Sequence, residues 1–460
     1  MLKGIQGYDV SRDGKKLLYR AAGRGYGIVE VKPGQKKGAG KLNLEHLSMK
    51  IDPRKEWRQT FNEGWRIFRD WFYVRNMHGV DWEAIREKYA LLLEHVAHRA
   101  DLDYIFGEMV GELNAGHTYV NWGDFKRVKR VDTGLLGAVL AADEKAGHYR
   151  IQHIFAGENW NEETRSPLTE QGVDIREGDY IIRLNGSDVS LNDNPYAFLE
   201  NTAGQRVEIT VKADLKDKDA RTFWIRPVVS EIRLMYLDWV RERREMVERL
   251  SGGRIGYIHV PDTAVDGNRE LFKGLYALRH KQALIIDDRY NGGGWSPGKM
   301  IEALSRNVVS YWHRRDLRLR PEPMYAHDGP KVMLINHYSS SGGDNFPYWF
   351  RKHKLGPLIG TRTWGGLIGY GWSPGLVDGP SFAVPMSGIV GTDGEWVVEG
   401  VGIHPDVEVY DRPDAVAKGK DPSLETAVEY LLKELKKNPV GKVTNPEEPD
   451  RSGWYEKQIH

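Results

Sequence analysis

At 460 residues the chain exceeds what one hydrophobic core ordinarily covers, so several structural units are expected. Its 66 basic and 65 acidic side chains leave a formal charge of +1, which excludes a bulk electrostatic pull toward nucleic acid or membrane. With no cysteine, disulfides, thiolate metal sites and a cysteine nucleophile are excluded, and the chemistry falls to oxygen and nitrogen groups. The start lacks the apolar region of a signal peptide and no later run approaches the roughly 18 apolar residues of a membrane span, so a cytoplasmic protein is expected.

Residues 8–32 alternate apolar and polar positions around an RDGK turn, the pattern of a β-hairpin. Such a hairpin suits the outer edge of a propeller blade, and one blade cannot bury its faces alone. Residues 1–44 are therefore expected to be a blade-like remnant of a protein with further blades upstream, the alternative being an ordinary N-terminal hairpin. From Pro53 to about Leu113 the period becomes helical. In FNEGWRIFRDWFY the aromatic residues recur at three- and four-residue spacing and are expected in a core, not around a cofactor. RADLDYIFGEMVGEL continues the helices, with Asp101 or Asp103 as the expected cap, and runs into NAGHTYVNW. That places His117 at a helix-to-strand junction within a helical unit of residues 45–130.

Between about 132 and 228 short β-runs alternate with turns, with one expected helix near NPYAFLENTAG. The GLLG stretch at 134–137, the segment REGDYIIRLNGSDV and the strand order resemble a PDZ domain, assigned to residues 131–229. A sheet edge beside an apolar groove can pair with an extended peptide. Over residues 230–437 strand and helix signals alternate: RIGYIHV, a helix over about 268–280, ALIID, a helix, VMLIN, a helix after Ser341, and finally SLETAVEYLLKELKK. Alternation of this kind favours a largely parallel α/β layer, and residues 438–460 read as a loose tail.

The sharpest chemical signal is KVMLINHYSSSGGDNFPYWFRKH, a buried strand, a turn of small residues and an aromatic-rich helix. A serine at such a turn projects its hydroxyl, and the N–H that follows it points the same way at the helix N-terminus. Ser341, with Gly342 and Gly343 behind it, fits best; Ser339 and Ser340 are rivals, and a simple helix cap is the bland reading. Upstream, ALIIDDRYNGGGW ends another buried strand in three glycines, which permit close backbone approach and unshielded N–H groups. If both strands lie in one sheet, the two loops lie side by side and jointly form an oxyanion cradle. Among 15 histidines, His117 stands between small residues that leave it accessible, while His337, four residues from Ser341, competes for the role of base. Asp287 and Asp288 are neighbours on a strand and point to opposite faces; one is expected to pair with Arg289 or Arg362 as structure.

ELNAGHTYV, DDRYNGGGW, NHYSSSGGDNFPYWFRK, LIGTRTWGGLIG and VVEGVGIHPDVEV, in this order around a PDZ-like insert, resemble the tricorn-type serine peptidases of the carboxyl-terminal-processing clan over about residues 45–435. The resemblance implies a multidomain α/β fold: a helical bundle, a PDZ-like β domain and a crotonase- or ClpP-like catalytic domain, without most of the upstream propeller region. It further implies Ser341 as nucleophile, His117 as general base, Glu399 as the supporting acid, and the amides of Gly294 and Gly342 as oxyanion donors, with no metal or cofactor. Expected substrates are peptides or unfolded polypeptides, cut by an endopeptidase assembled into a homo-oligomer, a hexamer in the family.

Two departures from the family pattern stand out. The family carries a serine directly before the histidine as a link to the glutamate, where this chain has Gly116; Glu399 must then act directly, through water or through another hydroxyl such as that of Thr118. The family also selects a basic side chain with an aspartate in a YD pair, where this chain reads Tyr311-Trp312, followed by His313, Arg314 and Arg315. Trp312 is thus expected to favour apolar or acidic side chains. The alternatives are a weak or inactive scaffold that binds peptides through the PDZ-like groove, and acyl-CoA chemistry of the crotonase type, for which no basic phosphate-binding cluster is evident in the sequence.

Overall fold

The protein is described from a computed structural model that covers all residues except 1–3, 22, 24, 37, 121, 122, 124–127, 442 and 453–460. Two compact units are formed by residues 1–60 and 61–460. In the first, β1 (Ile5–Val10), β2 (Lys16–Ala21) and β3 (Gly25–Glu30) make an antiparallel sheet in sequence order, one strand more than the hairpin expected from the RDGK turn. Its small core is Tyr19, Ala21 and Val29, and the buried Tyr19 hydroxyl donates to the Ala39 carbonyl at 2.7 Å.

The helical segment consists of α1 (Pro53–Trp71), α2 (Trp82–Ala90) and α3 (Arg99–Gly111). Phe61, Trp65, Phe68 and Phe72 are buried, as their spacing requires of a core-facing stripe. The cap of α3 differs from expectation: His98 is the N-cap and Asp101 completes a capping box, while Asp103 pairs with the buried Arg99. A helical-period reading sees Asp101 in the first turn but not the imidazole acceptor before it.

The PDZ-like region is a six-stranded antiparallel sheet of β5 (Ala138–Asp143), β6 (His148–Ile154), β7 (Tyr180–Leu184), β8 (Ser187–Asp188), β9 (Val207–Lys212) and β10 (Arg221–Ile225). The helix expected near NPYAFLENTAG is a single 3-10 turn, Pro195–Leu199, capped by the Asn194 side chain; Pro195 starts it and the left-handed Asn201 follows its end.

The remaining chain builds a parallel sheet in the order β11 (Ile255–His259), β12 (Ala283–Asp287), β15 (Lys331–Ile335), β16 (Leu358–Gly360) and β19 (Val407–Glu408). Both faces are covered, which is why these strands read as unbroken apolar runs. On one face α5 (Val265–Ala277), α6 (Pro297–Leu304) and α7 (Gly342–Lys352) pack on Leu284, Ile286, Met333 and Ile335. On the other, α4 (Ile232–Ser251) and α9 (Pro422–Lys437), which follows the short α8 (Pro413–Val416), pack on Ile285, Val332 and Leu334. Each such fully buried aliphatic side chain contributes about 2 kcal/mol.

A buried ion network fastens α9 to the sheet: Arg289 donates to Asp287 at 2.7 Å and to Asp421, the N-cap of α9, also at 2.7 Å. This is the structural pairing expected for one of the two neighbouring aspartates. A two-stranded hairpin, β13 (Ser310–Trp312) with β14 (Arg320–Glu322), follows α6. A second small sheet joins β17 (Ile368–Trp372), β18 (Phe382–Gly388) and β4 (Tyr119–Val120). α3 and the segment after it are thereby tied to β18 by the Phe106 and Phe382 rings, 4.7 Å apart, and by a non-local pairing, Ala383 with Tyr119. Among the described residues no helix is long and apolar enough to cross a membrane.

Candidate active site

Because the strands of the sheet are parallel, the loops that leave their carboxyl ends gather on one edge. After β15 the chain reaches Ser339, Ser340 and Ser341. The Ser339 hydroxyl is fully buried and donates to the Asp288 carbonyl at 2.7 Å, and that of Ser340 to the Asn291 carbonyl at 3.3 Å. No such tie holds the Ser341 hydroxyl among the described residues. Ser341 itself sits half-buried at φ 55° and ψ −114° as the N-cap of α7, a strained strand-to-helix turn. Geometry thus separates the three serines where composition could not.

The glycine loop after β12 lies against this turn. A Cβ on Gly293, whose φ is +89°, would stand 2.8 Å from Ser341 Cβ, and one on Gly342 would stand 2.8 Å from the Gly294 nitrogen. The Gly294 and Gly342 amides are therefore close together, and neither donates a hydrogen bond to a backbone acceptor among the described residues. Asn291 holds the arrangement, its carbonyl accepting from Ser340 N–H at 3.0 Å and its side chain from Gly293 N–H at 2.8 Å.

His117 follows α3 in a left-handed turn, φ 59°. Contrary to the accessibility expected from its small neighbours, it is only 8% exposed, because Trp364 and Tyr370 bring their rings to 5.4 and 5.0 Å of the imidazole. Burial holds its pKa below the ordinary value, keeping the base form. Its Nδ1 meets the Tyr119 hydroxyl at 2.8 Å, and its Nε2 is buried with no hydrogen-bond partner among the described residues. His337, the rival, is exposed, its ring tilted against that of Tyr338.

Glu399 is reached through Val398, a β-branched residue at φ 74°, a conformation that only the surrounding structure can impose. Its two oxygens accept backbone N–H groups, Gly116 at 2.7 Å and Leu367 at 2.6 Å. Glu399 thus holds the backbone next to His117 and makes no hydrogen bond to the imidazole. Thr118 does not bridge them either: its hydroxyl turns to the Ala115 carbonyl at 3.5 Å. The loop that connects these parts is 363–367, where Trp364 N–H donates to the Ser339 carbonyl at 3.0 Å and Gly365 N–H to Asp344 Oδ1 at 2.7 Å. Asp344, in the first turn of α7, is pushed up to about 6 by burial.

Trp312 is not brought to this edge within the chain. The hairpin that carries it lines a cavity with Lys281, His327, Gly329 and Pro330, which lead into the amino ends of β12 and β15. A five-residue strand, roughly 17 Å long, separates those ends from the serine turn. The physical reason is that α6 runs back along the sheet and delivers the hairpin to the opposite edge. Sequence reasoning passed over Tyr119, two positions beyond His117, because the left-handed turn at His117, φ 59°, that brings the phenol to the imidazole has no period to read.

Residues 53–111 match the tricorn protease C1 domain, 134–230 the tricorn protease PDZ domain and 254–409 the S41 peptidase family. Tricorn protease homolog 1 of Streptomyces coelicolor is 35% identical over 94% of this chain and 41% of its own length. A putative tricorn-like protease C-terminal subunit of Sulfurisphaera tokodaii is 34% identical over 87% of this chain and 46% of its own length. The crystal structure of the tricorn protease superposes with a TM-score of 0.86 at 30% identity, covering 94% of this chain and 42% of that one. The chain therefore spans less than half the length of these relatives.

Proposed function

The chain belongs to the tricorn protease family, and from that premise we propose that it is a serine endopeptidase acting on peptides or unfolded polypeptides. Ser341 is the nucleophile, His117 the base, the amides of Gly294 and Gly342 the oxyanion donors, and Glu399 the acid that supports the histidine by fixing the backbone at Gly116. The observation that carries this reading is the strained Ser341 turn beside two unengaged amides, since donors aimed at the developing oxyanion supply the largest single contribution to acyl transfer. His117 Nε2 takes the Ser341 proton, Ser341 Oγ bonds the scissile carbonyl carbon, the amine leaves with that proton, and water releases the acyl group. The exposed rings of Trp364 and Tyr370 beside the histidine, with Trp372 packed on Tyr370, support a preference for apolar segments. Cytoplasmic location and homo-oligomeric assembly belong to the same proposal.

The scaffold reading is disfavoured by one contact. The amides of Gly137 and Ala138, at the end of the GLLG stretch, already bind the Glu231 carboxylate at 2.6 and 3.3 Å, so the loop that would capture a peptide carboxylate is filled from within the chain. Digestion of an unstructured peptide mixture, read by mass spectrometry, tests the proposal. Cleavage is expected with the unaltered chain and is expected to vanish in Ser341→Ala and His117→Ala; full turnover in Ser341→Ala would overturn it.

A further inference from the structure

The Nδ1 atom of a catalytic imidazole needs an acceptor that fixes its tautomer and holds its ring, the place an aspartate fills in the Ser-His-Asp arrangement. We propose that Tyr119 is that positioning residue: its hydroxyl accepts from His117 Nδ1–H and leaves the buried, unpartnered Nε2 as the lone-pair nitrogen. The inference rests on the peptidase reading and deepens it.

Several observations converge on it. The hydroxyl stands 2.8 Å from Nδ1, and the Tyr370 ring packs 5.9 Å from that of Tyr119 and 5.0 Å from the imidazole. Both Glu399 oxygens are held by backbone N–H groups, and Gly116 offers no side chain to relay its charge. Among the described residues, the titratable groups around the ring are thus Tyr119 on β4, Tyr370 on β17 and Glu399 beyond the Gly116 amide. Burial alone accounts for the lowered pKa of His117, whereas the Glu399 charge is felt by Tyr73. Tyr119 is 43% exposed, so its own proton can be donated to water while its oxygen accepts from the ring. In the proton transfer the Ser341 O–H bond breaks and an Nε2–H bond forms; the imidazolium keeps its Nδ1–H on the phenol oxygen, a weaker support than a carboxylate.

The test uses protein with 15N-labelled histidine rings, the His117 signals being assigned by their loss in His117→Gln. The unaltered chain is expected to show the Nδ1–H tautomer at neutral pH. Tyr119→Phe, checked for folding by its thermal transition, is expected to shift the tautomer balance and lower the His117 pKa, because the charged ring loses its acceptor. In peptide hydrolysis the same variant is expected to lose about 10- to 100-fold in kcat with KM little changed, and its acidic limb is expected at lower pH. Adding Gly116→Ser is expected to return part of the rate, since a Cβ there would lie 3.4 Å from Glu399 Oε1. An Nε2–H tautomer in the unaltered chain would overturn the proposal without any variant, as would an unchanged titration or a rate loss that leaves tautomer and pH limb in place. An absence of Ser341-dependent turnover would sink the peptidase reading instead, and the ring spectra would still decide the role of Tyr119.

Discussion

Gly342 is a position where a side chain has no room. A Cβ would stand 1.9 Å from Thr263 Oγ1 and 2.4 Å from the Gly294 carbonyl oxygen, so alanine must displace Thr263, the glycine loop or the serine turn. Gly342→Ala is expected to lower kcat by about 100- to 1,000-fold, the loss typical of one oxyanion donor, with a smaller effect on KM. Steady-state peptide hydrolysis checks this, and an alanine variant as fast as the unaltered chain would show that the amides hold no oxyanion. At this scale each small-residue loop alone reads as a turn or a helix cap; the pairing of the two loops pointed to Ser341, and the family resemblance added Gly294 and Gly342 as donors. It left the three serines unresolved, since only the hydrogen bonds of Ser339 and Ser340 remove them from the choice. Tyr119 went unseen for a related reason: an aromatic residue in a strand reads as packing until its hydroxyl is found 2.8 Å from a ring nitrogen.

The elements around the site are joined by Asp344, at the start of α7, which accepts from Gly365 N–H in the loop that carries Trp364 against His117. Burial raises its pKa from 3.8 to about 6, so between those values the folded chain holds the proton more tightly than the unfolded one. Stability contributed at this site therefore falls as pH rises through that window, by about 3 kcal/mol, and is level above it. Asp344→Asn keeps the Oδ1 acceptor and cannot ionise. Its stability relative to the unaltered chain is expected to be higher at pH 7.5 than at pH 4, approaching that figure in paired urea titrations; an equal difference at both pH values would contradict the assignment. Helices and buried strands were legible because their periods and apolar runs are local. The third strand of the N-terminal sheet was blurred by glycines, the Pro195–Leu199 turn was too short to keep a helical period, and the β4 to β18 pairing joins residues more than 260 positions apart.

For the molecule as a whole, one geometric fact organises the site: parallel strands deliver the glycine loop, the serine turn and the Trp364 loop to the same edge, and the segment after the helices is pinned there through β18. The same fact sends Trp312 to the other edge, where its hairpin lines a separate cavity. Sequence order of the motifs made the family legible; the direction in which α6 returns along the sheet was not, because it depends on packing across both faces. The central claim is that Ser341 is a nucleophile activated where it stands. Labelling with a fluorophosphonate probe followed by peptide mapping tests it most directly. The expected result is modification of Ser341 alone, lost in Ser341→Ala and strongly slowed in His117→Ala. Modification at another serine, or none in a folded sample that still cleaves peptides, would contradict it.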